Sequence, residues 1–397
     1  MVVERELRLG VAGLGRAFTV MLPGFAGDRR VRLAAAADPR PEARGQFTKT
    51  FGGRAYATVE ELCADPGIDA VYVATPHQLH ARHAGIAAAA GKHVLVEKPM
   101  AVTLAECQAM IDAARRGGVH LIVGHSHSFD APYRRARQIV AGGAYGPVRM
   151  ITALNFTDFL YRPRRPEELD TSSGGGVIFS QAAHQIDILR LLGGGEVKTV
   201  RAQTGAWDKS RPTEGAYAAL LTFADGAFAT AVYSGYAHFD SDEFAGWTGE
   251  MGRKKDPGDY GAARRGLRMA ASAGEETALK QARNFGGAAY RAAADATAHQ
   301  HFGLFVASCE RADLRPLPTG VMIYADDAAT LDPLPPPRVP RGEVIDELYA
   351  AAIHSRPPLH DGAWAMATLE VCLAILRSAH EGKEIALRHQ VGLRDAP

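Results

Sequence analysis

The segment Arg8-Leu9-Gly10-Val11-Ala12-Gly13-Leu14-Gly15-Arg16-Ala17-Phe18 constrains this 397-residue chain more than any other feature. It reads as a strand that enters a glycine turn and leaves as a helix. Gly13 permits the tight bend, and Gly15 lets the backbone approach a pyrophosphate lying on the helix N-terminus. The third small-residue position of the pattern is Phe18, a departure, with Ala17 before it. Beyond the turn, short apolar runs alternate with helix-period segments. Leu9–Ala12, Val31–Ala37, Ala70–Ala74, Val94–Val96 and Leu121–Val123 are expected as strands buried on both faces, and 41–51, 78–90 and 103–117 as helices. Thr58-x-x-Glu61 has the spacing of a capping box. Strands separated by helices pair in parallel through right-handed crossovers, so residues 1–125 are expected to form a doubly wound α/β domain.

After Pro147 the texture changes. Met150–Phe156, Val197–Ala206, Tyr217–Phe223 and Phe228–Tyr233 read as longer successive strands, and Asp225-Gly226 is a hairpin turn. Residues 126–397 are therefore expected to be α+β, with an open, mostly antiparallel sheet. A stretch at about 245–300 fits neither pattern. From Arg253 to Arg291 it carries nine basic residues against four acidic ones, in a chain whose net charge is +1. It reads as a basic insertion that lids the site, binds a neighbouring subunit or moves. A Pro-rich stretch, Leu331–Pro340, then leads to helical segments near 343–354 and 361–381.

The near-zero net charge offers no overall field for nucleic acid or an anionic membrane. Cys63, Cys107, Cys309 and Cys372 are widely separated, with no metal-binding spacing, and read as reduced thiols of a cytoplasmic protein. The charged N-terminus is unlike a secretory leader. No apolar run reaches the roughly 18 residues of a membrane span. No metal, nucleic-acid or membrane partner is expected.

The cofactor reading rests on several residues together. The second strand ends in Ala37-Asp38, and an acid there accepts the ribose hydroxyls of NAD while repelling the 2′-phosphate of NADP. Arg40, two residues on, keeps NADP open as an alternative. A tight strand–helix turn without cofactor is the plain alternative to both. Thr75-Pro76, with His80 beyond, and Glu97-Lys98-Pro99 come at the carboxyl ends of later strands, where ligands bind in open α/β sheets. A partly buried Lys98 is an acid/base candidate, because desolvation lowers an ammonium pKa; a surface lysine beside Glu97 is the plainer reading.

The order Gly13-Leu14-Gly15, Asp38, Thr75-Pro76 with His80, Gly91-Lys92-His93, Glu97-Lys98-Pro99, Gly174-Gly175-Gly176 and His184-Gln185-Ile186-Asp187 resembles the Gfo/Idh/MocA oxidoreductases along nearly the whole chain. The resemblance implies a Rossmann domain followed by a domain whose open sheet covers the nicotinamide and commonly forms the interface of a homodimer or homotetramer. It implies cofactor contacts from Gly13, Leu14, Gly15, Arg16, Asp38, Thr75, Pro76, His80, Glu97 and Lys98. It also implies a catalytic set made of the Lys of Glu-Lys-Pro, a His, and an Asp four residues before that His. Here these are Lys98 and His184, but the Asp position holds Ser180, which can only hydrogen-bond. Asp187, three residues past His184, is one substitute; a reaction needing a weaker base is another.

Two further stretches, Gly124–Tyr133 and Asn155–Leu169, resemble the phthalate 4,5-cis-dihydrodiol dehydrogenase branch of that family. A substrate with adjacent carboxylates needs planar, bidentate donors, and Arg162, Arg164 and Arg165 follow a strand of the second domain. A solvated loop pairing with Glu167, Glu168 and Asp170 is the alternative. His125 and His127, past the last parallel strand, are candidate substrate contacts or structural histidines. The expected activity is NAD-dependent oxidation of an anionic cyclic cis-diol, the 4,5-cis-dihydrodiol of phthalate going to 4,5-dihydroxyphthalate. A sugar or cyclitol (inositol-like) dehydrogenase, and a non-catalytic NAD-binding sensor, are the alternatives.

Overall fold

The computed structural model describes residues 5–270, 272–292 and 296–393; part of the leader reading falls on the first four residues, outside them. The chain forms two compact units. The first comprises Met1–His125 with two later segments, Ala278–Ala294 and Arg338–Met366, which a division into 1–125 and 126–397 places in the second. Aromatic packing explains one return: Phe285 meets Phe18 edge-on at 5.3 Å and stacks on Phe51 at 6.0 Å. The other is fixed by the Tyr349 hydroxyl, which donates to the Arg5 carbonyl at 2.7 Å.

In this unit β1 (Leu7–Ala12), β2 (Val31–Ala37), β3 (Arg54–Tyr56), β4 (Ala70–Val73), β5 (His93–Val96) and β6 (Leu121–Val123) form one parallel sheet in the order β3-β2-β1-β4-β5-β6. The central strands are apolar on both faces because helices cover both, and Leu9, Val11, Val71 and Leu95 are fully buried. Thr58 and Glu61 form the expected capping box at the start of helix Val59–Cys63. Strand order reverses between β1 and β4, so a crevice opens at their carboxyl ends.

The second unit comprises Ser126–Thr277, Asp295–Pro337 and Ala367–Pro397. Its nine strands are β7 (Val148–Phe156), β8 (Val197–Gly205), β9 (Ala216–Phe223), β10 (Phe228–Ser234), β11 (Leu304–Cys309), β12 (Ala312–Leu317), β13 (Gly320–Ala325), β14 (Ala329–Pro333) and β15 (Ile385–Ala386). They lie in the order β14-β13-β12-β11-β7-β10-β9-β8-β15. All neighbours are antiparallel except β7 and β10. The Pro-rich stretch thus begins inside β14 instead of as a linker. One face of the sheet buries Ile151, Ala153, Ala229, Ala231 and Leu221; the other leaves Met150, Leu220, Phe228 and Tyr324 exposed. The insertion holds two short helices, Ala262–Leu267 and Ala273–Ala282.

One helix differs from the expectation about membrane-length segments. Gly362–Glu381 has 20 residues, and its most apolar 18-residue window has a mean hydropathy of 1.3, long and apolar enough to cross a bilayer. Counting uninterrupted apolar runs missed it because Thr368, Glu370 and Arg377 break the run. Two of them serve the protein interior: Thr368 donates to Asp187 Oδ1 at 2.7 Å, and Glu370 accepts the backbone N–H groups of Arg388 and His389 at 2.7 and 2.8 Å, while Arg377 is exposed and pairs with Glu381; 61% of the window is buried.

Candidate active site

The carboxyl edge of the parallel sheet collects the first group of expected residues. Gly13 has φ +95°, and a Cβ there would lie 2.8 Å from the Ala74 carbonyl oxygen, so the turn needs glycine. A Cβ on Gly15 would meet nothing within 4 Å; the backbone there faces open space. Helix Arg16–Gly27 starts without a side-chain cap, leaving first-turn N–H groups for an anion. Arg16 is exposed in that first turn, and Leu14 is buried behind it. These features fit the pyrophosphate of a dinucleotide.

Asp38, at the end of β2, is 5% exposed and accepts four N–H groups. Leu14 N and Arg40 Nη2 donate to Oδ2 at 2.8 and 3.1 Å, and Arg40 N and Nε donate to Oδ1, each at 2.9 Å. Its carboxylate is fixed beside the glycine turn, where a ribose would follow the pyrophosphate.

His80, expected among the cofactor contacts, is fully buried with Nδ1 2.9 Å from the Pro99 carbonyl and Nε2 2.9 Å from the Thr75 carbonyl. Burial is the largest influence on the ring and lowers its pKa, so at neutral pH one nitrogen donates. It straps the Thr75-Pro76 turn to the Lys98-Pro99 turn. Glu97 is also inward: Tyr72 Oη donates to Oε1 at 2.5 Å, and burial raises its carboxyl pKa against the opposing pull of Arg341, Tyr72 and Lys98. Lys98, on the alternate side of the strand end, is half-buried and precedes a cis bond to Pro99. His125 is buried at the carboxyl end of β6.

In the second unit His184 lies on helix Ala183–Leu192, entered through a π-helical turn, Ile178–Ala182, that holds the half-buried Ser180. The helix packs on the inner face of the sheet, and His184 is 4% exposed. Its ring meets His127 edge to face at 4.7 Å and Phe302 at 5.0 Å. His127 Nδ1 is 2.6 Å from Asp130 Oδ2, and Nε2 is 3.3 Å from Glu250 Oε1. Burial alone would lower the His127 pKa, but the two carboxylates outweigh it and raise the value. A carboxylate-backed histidine thus stands against His184, although position 180 is a serine.

Asp187, considered as the substitute for the missing aspartate, has another task. It accepts the hydroxyls of Ser126 at 2.6 Å and Thr368 at 2.7 Å, and that of Ser128. These bonds tie the 126–128 turn and Thr368 to the helix. Nothing local in the sequence singles out Glu250, which lies 123 residues from His127, whereas Asp130 is only three residues on, a spacing that could have pointed to it.

The three loop arginines separate. Arg164 lies over the Phe159 ring at 3.6 Å, donates from Nη2 to the Phe159 carbonyl at 2.8 Å, and is held near a pKa of about 10 by burial. Arg165 pairs with Glu167 and Glu168. Arg162 keeps a looser bond to Asp158, at 3.2 Å, and lines a cavity of about 260 Å³ with Glu250. Of the three candidate donors, Arg164 is engaged by stacking and burial and Arg165 by its acidic neighbours, as the loop-pairing alternative has it for Arg165. Part of the insertion closes on this loop, where Glu276 accepts from Arg164 N at 2.6 Å and from Arg211 Nη1 at 2.8 and 3.0 Å.

A doubly wound sheet of this order, with a glycine turn fitted to a pyrophosphate, defines a dinucleotide-binding protein. Residues 7–125 match the model of the oxidoreductase family with an NAD-binding Rossmann fold, and residues 133–253 match the Gfo/Idh/MocA C-terminal domain. The chain is 49% identical to the 1-carboxy-3-chloro-3,4-dihydroxycyclohexa-1,5-diene dehydrogenase of Comamonas testosteroni, over 93% of this chain and 94% of that one. It superimposes with a TM-score of 0.91 on a structure from Bordetella bronchiseptica RB50, itself only provisionally assigned as a dehydrogenase, at 44% identity and over 96% and 100% of the two chains. The myo-inositol 2-dehydrogenase of Thermotoga maritima is 29% identical over 49% of this chain and 58% of that one. The chain belongs to the Gfo/Idh/MocA oxidoreductase family, and its first unit is an NAD-binding Rossmann domain.

Proposed function

We propose that this enzyme oxidises a cis-dihydrodiol of a cyclohexadiene carboxylate with NAD. The observation that carries the reading is the near full-length likeness to a dehydrogenase of a carboxylated dihydroxycyclohexadiene. NAD, when bound, supplies the hydride acceptor. Gly13, Leu14, Gly15 and Arg16 hold its pyrophosphate, Asp38 its ribose, and Thr75-Pro76 the edge nearest the nicotinamide. Lys98 takes the proton of the hydroxyl whose carbon gives up hydride, and His184 assists, steadied by the His127–Asp130 pair. The ketone so formed tautomerises to an aromatic diol, so the overall change is diol plus NAD to aromatic diol, NADH and one proton. Aromatisation makes the reaction tolerant of a weak base, which suits Ser180 at the aspartate position.

The substrate's carboxylate meets Arg162. The 4,5-cis-dihydrodiol of phthalate is the dicarboxylate member of the class, and with Arg164 engaged elsewhere a single carboxylate is the better match. The exposed sheet face around Met150, Leu220 and Phe228 is proposed to pair subunits of a homodimer or homotetramer, which light scattering tests. The function is tested by following NADH absorbance with benzoate-type and phthalate dihydrodiols, hexoses and inositol, each with NAD and NADP. Turnover of dihydrodiols above sugars supports it. Turnover of hexoses or inositol alone replaces it with the sugar or cyclitol reading, and NAD binding without any turnover leaves a sensor.

A further inference from the structure

The basic insertion opens with a tight hairpin. Lys255 N donates to the Trp247 carbonyl and Gly249 N to the Arg253 carbonyl, both at 2.8 Å, and Thr248 bridges Lys254. The turn is locked from behind. Gly252 has φ +71°, its carbonyl accepts Thr297 N and Ala298 N at 3.0 and 3.1 Å, and a Cβ there would fall 2.1 Å from the Ala298 oxygen. Arg253 therefore sits on a rigid turn, and its side chain lines the same cavity as Arg162.

The cations around this cavity are not equivalent. Lys254 Nζ donates to the Gly246 carbonyl at 2.9 Å, and Lys255 bonds Asp240 and Asp242. Arg162 engages only Nε with Asp158, so its terminal nitrogens have no hydrogen-bond partner among the described residues. Arg253 is less satisfied still: its Nε is buried and has no hydrogen-bond partner among the described residues. An orphaned buried guanidinium N–H is costly unless a ligand answers it. Of the carboxylates on the wall, Asp242 is bonded by Lys255, and Glu250 bonds His127 while its charge also acts on Arg162, without a hydrogen bond to it. The remainder is two guanidiniums with donors to spare, a fork suited to one planar carboxylate. About 260 Å³ holds a single substituted six-membered ring and not a sugar nucleotide. Through Glu250 the cavity adjoins the His127–His184 pair, so an occupant with its acid at the arginines turns its other end toward the candidate catalytic histidine.

We propose that this cavity is the carboxylate-recognition subsite of the dihydrodiol site and that Arg253, brought in by the insertion, is its specificity-determining residue. The proposal rests on the dihydrodiol reading above. The test compares wild type, Arg253→Gln and Arg253→Lys on two cis-dihydrodiols that differ only in a ring carboxylate. The preference for the carboxylated diol in kcat/KM is expected to fall roughly 10- to 100-fold in Arg253→Gln, mostly through KM, and to recover in part in Arg253→Lys. An unchanged preference overturns the assignment. A second arm needs no turnover: calorimetric titration with 3,4-dihydroxybenzoate and with catechol. Wild type is expected to prefer the acid and Arg253→Gln to lose that preference. If wild type turns over neither diol, the dihydrodiol reading fails and this arm still decides the subsite. No preference for the acid in wild type, or displacement of it by inorganic phosphate at equal concentration, overturns the subsite.

Discussion

Arg40 grips Asp38 at two points, Nε at 2.9 Å from Oδ1 and Nη2 at 3.1 Å from Oδ2. The acid proposed to select NAD is thus shared with a cation that would favour a phosphate. Asp38→Ala is expected to weaken NADH binding by roughly 10- to 100-fold, the worth of a lost charge-assisted bond, and to narrow the NAD-over-NADP preference. Arg40→Ala is expected to widen that preference, since it removes positive charge and leaves the carboxylate. Fluorescence titration with both reduced cofactors checks this; an unchanged preference in Asp38→Ala would move the ribose contact elsewhere.

Lys98→Ala separates chemistry from binding. The side chain is half-buried at the end of β5, while Asp38 is held to the glycine turn by Leu14 N, a bond in which Lys98 has no part. Loss of a proton acceptor costs about 10²- to 10⁴-fold in turnover. The expected result is that loss in kcat with an NADH affinity within a few-fold of wild type. Turnover near the wild-type rate would remove Lys98 from the mechanism.

Asp187 makes the opposite prediction, because its oxygens bind the hydroxyls of Ser126, Ser128 and Thr368. Asp187→Ala removes the shared acceptor of three buried hydroxyls; Ser126 and Ser128 can still bond each other at 3.1 Å, so two donors are left unmatched, and a loss of about 1–3 kcal/mol for each is the scale to expect. The melting temperature should fall sharply, while the pH dependence of kcat in the folded fraction keeps its wild-type shape. A displaced pH profile would return Asp187 to the proton-transfer machinery.

The parallel sheet was legible because strands covered on both faces are short and uniformly apolar, as Ala70–Val73 and Leu121–Val123 are. β3 escaped notice: Arg54–Tyr56 is a three-residue edge strand with an exposed arginine. So did β11 to β13, where partly exposed positions such as Ser308, Asp313, Arg315 and Tyr324 dilute the apolar signal. In the site, Gly13, Asp38 and Lys98 announce themselves through local motifs. The surroundings of His184 do not, since Phe302 meets its ring, and Glu250 meets the neighbouring His127, only after the second sheet has formed. Arg162 and Arg164 are two residues apart and chemically alike; only packing on Phe159 tells them apart.

His127 gives the fold a pH-dependent element. Burial alone would lower its pKa, but Asp130 on Nδ1 and Glu250 on Nε2 hold it above the ordinary 6.5. In the unfolded chain the ring titrates near its ordinary value, so binding the proton favours the folded state. The resulting stability is fully present below about pH 6.5 and is lost as the pH rises through the higher folded value. Asp130→Asn removes one of the two charges responsible. The gap in melting temperature between wild type and Asp130→Asn is therefore expected to be widest on the acid side and to narrow as the pH rises, over a scan from about pH 5.5 to 9, where carboxylates elsewhere stay ionised. The His127 ring resonances, followed by NMR, should titrate above 6.5 in wild type and lower in the variant. A gap that stays constant across the scan would mean that Asp130 does not shift the titration of His127 in the folded chain, and that it acts beside His184 through packing alone.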